Sequence, residues 1–208
     1  MYKPALTTAP ATTPITLAEV KAQLEITGSE SDTVLTALIA AAVSQLDGWT
    51  GTLGRCLVQQ SWRQDYDCFA RCLRLPLGPV ISVTNVKYYD AAGVEQTVAS
   101  DQYQLLADGE GWFVKFNAQY SFPALRAERP AVSVTYAAGY GQVDAASTVP
   151  AAIKQAMHLM VRQWFQNPGS IRSEEVDGVG KIVYQGLGDT VAQPAIDALL
   201  APYRVQRL

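Results

Sequence analysis

The chain contains one histidine, His158. It lies between Met157 and Leu159 in an apolar run with helical spacing. A serine or cysteine nucleophile ordinarily needs such a base beside it. A lone imidazole among Met and Leu reads instead as a packed or surface residue, and no G-x-S-x-G elbow accompanies it. Three cysteines, Cys56, Cys68 and Cys72, cannot all pair, and an odd count does not describe a secreted disulfide framework. Cys68-x3-Cys72 offers two thiolates, but structural zinc takes four ligands and the histidine is distant in sequence. Reduced, partly buried thiols are the expectation. Gly178-Val-Gly180-Lys181 and Gly186-Leu-Gly188 imitate a phosphate cradle, yet lack the third glycine and the helix that should follow. The acids Glu174-Glu175 and Asp108/Glu110 read as solvated loop carboxylates, with a divalent cation at Asp108-Gly109-Glu110 left open. No catalytic residue, cofactor site or metal site emerges.

The aromatics Trp62, Tyr66, Tyr88, Tyr89, Tyr103, Trp112 and Phe116 fall on strand-like segments. Two readings stay open for them: a sugar-binding platform, or core packing and cross-strand pairing.

Composition narrows the class of function. Hydrophobic residues make up 49% of 208, enough for one core or two small ones. Charged residues are 17%, against about 25% in a typical soluble domain. So little charge fits a surface covered by partners, or a β-rich surface of Thr, Ser and Gln. Net charge is −3 and the pI about 5.2, without the Lys/Arg clustering of a duplex-binding surface. Residues 1–14 have no apolar signal core. No apolar stretch approaches the roughly 18 residues of a membrane span, so no membrane partner is expected. Assembly in the cytoplasm of a host follows as the expectation.

The elements that must position these residues come in two kinds. Residues 1–14, rich in Thr, Pro and Ala, predict an extended, mobile arm. Thr16 and Glu19 spell a capping box, with Ile15 and Val20 as a hydrophobic staple. Leu17, Val20 and Leu24 then recur at helical spacing. A second helix opens after Ser29 or Ser31 and runs to Gly51. Its apolar face carries Val34, Leu35, Leu38, Ala42, Leu46 and Trp49, widened by Ile39 and Val43. Ala40–Ala42 keep part of it thin. A third helix starts near Thr148 with Pro150 in its first turn, carries Ile153, Ala156 or Met157, Met160 and Trp164, and stops at Pro168.

Between these helices the period becomes two. Val58–Tyr66 alternates, Val80–Tyr89 is rich in β-formers, and Asp90–Gly93 turns the chain toward Val94–Val98. Tyr103–Leu106 and Trp112–Phe116 flank Asp108–Gly111 as a second hairpin, and Ala131–Tyr136 is the last strand. About six or seven strands suffice for an antiparallel sandwich or small barrel. Residues 169–192 hold five glycines and read as an irregular tether of up to about 80 Å. A short helix, Pro194–Arg204, ends the chain. Its Ile196, Leu199 and Leu200 form a small apolar face, suited to docking on a partner or to folding back on the chain's own helices.

The predicted fold class is α+β: a helical domain (15–55 with 142–168) carrying an inserted antiparallel β domain (56–141), a flexible N-terminal arm (1–14) and a C-terminal docking arm (169–208). The helical core is expected at Leu17, Val20, Leu24, Leu35, Leu38, Ala42, Leu46, Trp49, Ile153, Met157, Met160 and Trp164.

The order P-I-T-L-A-E-V-K-A-Q-L (Pro14–Leu24), D-T-V-L-T-A-L-I-A-A-A-V with W-T-G, L-P-L-G-P-V-I-S-V-T-N-V-K-Y-Y-D-A-A-G (Leu75–Gly93), V-T-Y-A-A-G-Y-G (Val134–Gly141), V-P-A-A-I-K-Q-A-M-H-L-M-V-R-Q-W-F and L-L-A-P-Y-R (Leu199–Arg204) resembles the phage head–tail connector (adaptor, head-completion) family of tailed phages and gene transfer agents. Asp65–Arg71 and the glycine-rich arm match no part of that pattern. The resemblance implies a non-enzymatic virion protein, a dodecameric ring beneath the portal through which DNA passes without sequence-specific binding. It implies neighbouring copies, the portal protein and a stopper or tail-terminator protein as partners. Its C-terminal segment would grip the portal, which points to Ile196, Leu199, Leu200, Pro202, Tyr203 and Arg204. The alternative from the residues alone is a carbohydrate- or ligand-binding β module on a helical stalk.

Overall fold

The computed structural model describes residues 2–143, 146–166, 173–176, 180–183 and 192–205. The chain divides into two compact units, Met1–Thr12 with Arg55–Thr148, and Thr13–Gly54 with Val149–Leu208. The fold is α+β with antiparallel sheets and a short C-terminal helix, as the sequence predicts.

The first unit holds β1 (Ala5–Thr8), β2 (Gln60–Tyr66), β3 (Cys72–Leu75), β4 (Val80–Tyr89), β5 (Glu95–Thr97), β6 (Tyr103–Asp108), β7 (Gly111–Phe116), β8 (Val132–Ala138) and a short pair, β9 (Gln142–Val143) and β10 (Ala146–Ser147). One sheet runs β1-β2-β8-β4-β5 and a second β3-β7-β6. The alternation of β2 places Gln60, Trp62 and Gln64 inward and Arg63 outward, because successive side chains of a strand face opposite sides. Val86, Val134 and Tyr136 continue that inner face, and Leu73, Leu75, Val114 and Phe116 are buried on the second sheet. Phe69 joins the two, edge-on to Tyr88 of β4 at 5.4 Å and to Phe116 of β7 at 5.5 Å.

Two features of this unit differ from the expectation. Residues 1–14 are not simply a mobile arm, since Ala5–Thr8 pairs with β2 as an edge strand. The Gln64 amide donates to the Tyr2 carbonyl at 2.9 Å, and the Tyr2 hydroxyl to Asp67 at 2.6 Å. A four-residue stretch of Ala, Leu and Thr carries too short a period to announce itself as a strand. The second is β3, whose sequence C-L-R-L is similarly brief.

The second unit holds α1 (Leu17–Leu24), α2 (Asp32–Leu46), α3 (Ala151–Gln166), β11 (Ser173–Val176), β12 (Gly180–Val183) and α4 (Ala192–Leu200). Helix α2 ends at Leu46, short of Gly51: Asp47 is already extended at φ −88°, and Thr52 and Leu53 donate back to the carbonyls of Gln45 and Leu46. Val34, expected on the buried face, is 52% exposed. Of the residues expected on that face, Leu35, Ile39, Ala42 and Leu46, at three- and four-residue spacing, are the buried ones. Ser173–Val176 and Gly180–Val183 pair antiparallel as β11 and β12, inside a stretch where an irregular tether was expected. The remainder of 167–191, including the stop at Pro168, Gly178-Val179 and the whole of Gly186-Leu-Gly188, lies outside the described residues. Among the described residues, no helix is long and apolar enough to cross a membrane.

Candidate functional site

The residues singled out for docking divide sharply. Ile196 and Leu200 of α4 are 3% and 2% exposed, and α4 packs along α3. Spaced four apart, they share one helix face, and that face is part of the helical core. The expected docking face is therefore turned inward at these two positions. Leu199 and Tyr203 are half-buried, whereas Pro202 and Arg204 are exposed. Arg204 donates to Asp197 at 2.5 Å, and the hydrogen bond from Gln193, with that from Arg204, holds the Asp197 carboxyl below its usual range. The Val205 N–H then donates to the Leu53 carbonyl at 3.0 Å, tying the chain's end to the loop after α2.

Of the predicted helical-core residues, Val20, Leu35, Ala42, Leu46, Ile153, Met157 and Met160 are buried, while Leu17, Leu24, Leu38, Trp49 and Trp164 are half-buried. The sequence list omits Val161 and Leu53, both fully buried. Leu53 lies in a turn beyond the helix, where periodicity gives no signal. On α2, the exposed positions are Thr33, Val34, Thr36, Ala37, Ala40, Ala41, Ser44 and Gln45. That face is uncharged and mostly short-chained, so another backbone can approach it closely.

The chemistry-bearing residues do not converge. His158 is half-buried, its Nδ1 has no hydrogen-bond partner among the described residues, and burial holds its pKa below the usual value. Its charged neighbours are Glu19 and Lys154. Cys56 is buried and Cys68 and Cys72 are exposed, and no disulfide joins them. Asp108 and Glu110 are not open to a cation. Arg74 forks onto both Asp108 oxygens at 2.6 and 2.7 Å and meets Glu110 at 2.9 Å. This pairing holds the Asp108 carboxyl below its normal range. Among the described residues, no group of three His, Cys, Asp or Glu could hold a metal ion.

Nor do the strand aromatics offer an open platform. Trp62 and Phe116 are buried. Tyr66 donates to the Arg74 carbonyl, Tyr88 meets Phe69, and Tyr103 meets Phe116. Trp112 lies against Gly78, whose Cβ position is 2.7 Å from the indole. The Arg126 guanidinium covers Tyr89 at 3.9 Å from its centroid.

What the β unit does expose is a trough of about 380 Å³ on the outer face of the five-stranded sheet. Ser133 and Thr135 of the central strand β8 form its floor. Arg63 and Asp65, paired at 3.0 Å, stand on the β2 side, and Lys87 and Glu95, paired at 2.6 Å, on the β4–β5 side. Asn85 projects here from a β-bulge between Val83 and Asn85, with its Oδ1 buried and without a partner among the described residues.

A fold this dispersed in its chemistry is identified by its pattern, not by a catalytic centre. The head completion protein family model matches residues 13–205. The chain belongs to the head completion protein family. That match runs through both units, and head completion is a structural role. No curated protein sequence matches the chain. Three solved structures are similar in fold over 100% of this chain and 97% of theirs, each at 22% identity. They are the neck of an empty gene transfer agent (GTA) particle computed with C6 symmetry (TM-score 0.70), the virion of a native GTA particle (0.69), and the neck of a native GTA particle computed with C12 symmetry (0.64).

Proposed function

We propose that this head completion protein is a non-enzymatic adaptor at the head–tail interface of a phage or phage-like particle. It forms a ring on the portal, joins the head to a stopper or tail-terminator protein, and lets DNA pass through its centre. The observation that carries the reading is the family match through both units, and the full-length likeness to chains of particle necks described with six- and twelve-fold symmetry supports it. A closing ring needs a heterologous interface, one patch on each side of every subunit. The uncharged, small-residue face of α2 suits one of those patches.

The portal contact is proposed at exposed Pro202 and Arg204 and half-buried Tyr203, with Leu199 at its margin. Ile196 and Leu200 support that contact from within by anchoring α4. Net charge of −3 fits a channel wall that does not hold phosphates, since duplex affinity comes from Lys and Arg displacing counterions.

Imaging of intact particles tests the reading. Density for this fold in a ring between portal and tail is expected, and its absence from the neck overturns the proposal. At residue level, Tyr203→Ala with Arg204→Ala should abolish copurification with the portal while leaving the circular dichroism unchanged. A tight, salt-sensitive duplex affinity of the assembled ring would contradict the channel role.

A further inference from the structure

The two larger sheets of the β unit end in four outer strands: β1 and β5 bound the five-stranded sheet, β3 and β6 the three-stranded one. An outer strand presents unpaired N–H and C=O groups, a template for another chain unless charge, proline, a bulge or brevity blunts it. Two of these edges are blunted. β5 is three residues long and begins at Glu95, which Lys87 holds at 2.6 Å. β3 carries Arg74, whose carbonyl already accepts the Tyr66 hydroxyl at 2.6 Å. Beyond the end of β5, Val80–Asn85 of β4 is broken by two bulges.

β1 and β6 lack such guards. β1 reads Ala-Leu-Thr-Thr, exposed at every position, and its irregularity falls after Leu6, which leaves Ala5 and Leu6 in register with β2. β6 reads Tyr-Gln-Leu-Leu-Ala-Asp, and its one charge, Asp108, stands at its end under Arg74. Among the described residues, no main-chain hydrogen bond reaches the outer edge of either strand. Each edge bears an exposed leucine, Leu6 at 48% and Leu106 at 37%, and no other leucine among the described residues is exposed. Leu6 stands opposite Trp62 of β2, and Leu106 opposite Phe113 of β7. The two edges lie on opposite sides of the unit. β2 runs into β3 through residues 67–71 and Tyr66 reaches Arg74, so β1 is on the β3 side. β5 runs into β6 through residues 98–102, which puts β6 on the other.

We propose that β1 of one copy pairs antiparallel with β6 of a second copy, Leu6 opposite Leu106. The inference rests on the ring reading and names the strand contact between adjacent copies. Edge to edge, the two sheets become one, and Trp62, Leu6, Leu106 and Phe113 form an apolar row across four strands, the kind of cross-strand contact that stabilises a sheet. Charge selects the antiparallel direction. Lys3 precedes Leu6 by three residues and Gly109 follows Leu106 by three, so this register carries Lys3 to the Asp108–Glu110 turn. Exposed Lys3 has no ion pair among the described residues, and the two acids of that turn share the single guanidinium of Arg74. The contact is heterologous, β1 to β6, as a closing ring requires.

Two measurements test it, both on full-length chains assembled in particles. In a Cys68→Ser, Cys72→Ser background, with Cys56 buried, Leu6→Cys chains and differently tagged Leu106→Cys chains are assembled together and oxidised. A bridge between the two tagged chains is expected, because opposed Cβ atoms of paired strands lie about 5 Å apart. A bridge between two Leu6→Cys chains, a bridge between two Leu106→Cys chains, or none at all overturns the contact. In the second measurement, Leu6→Lys and Leu106→Lys each set a cation in the apolar row. Each should lower the amount of this protein in purified particles at least about tenfold, while the melting temperature of the isolated chain stays the same, since both side chains are exposed. Leu6→Lys combined with Leu106→Glu in one chain should restore incorporation, because opposite charges then face each other across the strands. Full incorporation of the single variants, or a loss that the combined variant does not restore, refutes the pairing. Particles that hold the protein as a ring without the bridge refute only the present inference, whereas particles without a ring refute the function proposed above.

Discussion

Thr16 and Glu19 hold the start of α1 by a reciprocal exchange. The Thr16 hydroxyl accepts from the Glu19 N–H at 3.2 Å, and the Glu19 carboxylate accepts from the Thr16 N–H at 2.6 Å. The same carboxylate takes the Thr16 hydroxyl proton at 2.9 Å. Two donors that the helix cannot satisfy internally are thereby paired.

Removing the cap should cost the helical unit about 1 kcal/mol. Thr16→Ala is expected to lower the denaturant midpoint by that amount, whereas Thr16→Ser should be nearly neutral. The hydrogen bonds from Thr16 hold the Glu19 carboxyl below its ordinary range. A carboxyl depressed in the folded state stabilises above its unfolded pKa, and that contribution is lost as pH falls through the folded value. Glu19→Gln should therefore flatten the acid limb of the stability curve, measured by urea unfolding at a series of pH values.

Gly139 marks a backbone crossing in the β unit. Its φ is +124°, a Cβ there would sit 2.2 Å from the Val58 carbonyl oxygen, and its N–H donates to the Pro79 carbonyl at 2.8 Å. Gly139→Ala combines a strained backbone with an overlap that the Val58 segment must absorb, and should destabilise by on the order of 3 kcal/mol. At Gly109 nothing lies within 4 Å of the Cβ position, and Gly109→Ala should stay within about 0.5 kcal/mol. Thermal melts of the two variants make the comparison.

Ile196→Ala and Leu200→Ala should each destabilise the helical unit by about 2–4 kcal/mol, because both side chains are buried in well-packed surroundings. Pro202→Ala and Arg204→Ala should change stability by less than about 1 kcal/mol. Deleting residues 190–208 should therefore expose α3 and lower the melting temperature, whatever it does to partner binding. Equal stability of the truncated and full-length chains would show that α4 is not part of the core.

His158 should make the protein acid-sensitive. Burial pushes its pKa down, with Lys154 adding to the effect and Glu19 opposing it. The unfolded chain then binds the proton more readily, so stability falls as pH drops through the unfolded value of about 6.5. His158→Gln should remove that slope between about pH 7.5 and about pH 5.5, seen as melting temperatures that converge with wild type at the acid end only if the imidazole carries the effect.

The sequence by itself determined the local elements. The capping box at Thr16, the stripe of α3 and the full length of β4 follow from hydrogen bonding and periodicity within a dozen residues, and the structure has them in place. It also determined the family, because the order of weak signals along the chain is a one-dimensional property. Tertiary structure decided the rest. An apolar face at Ile196 and Leu200 is the same in sequence whether it meets a partner or α3, and only packing turned it inward. Ala5–Thr8 became a strand because β2 offered an edge, and Asp108 and Glu110 lost their appeal as cation ligands because Arg74, thirty-four residues from Asp108 in sequence, reaches them. The trough over β8 draws on five strands, so no window of sequence could have revealed it. Periodicity reports which face of an element is apolar; which surface covers that face depends on contacts between residues far apart in the chain.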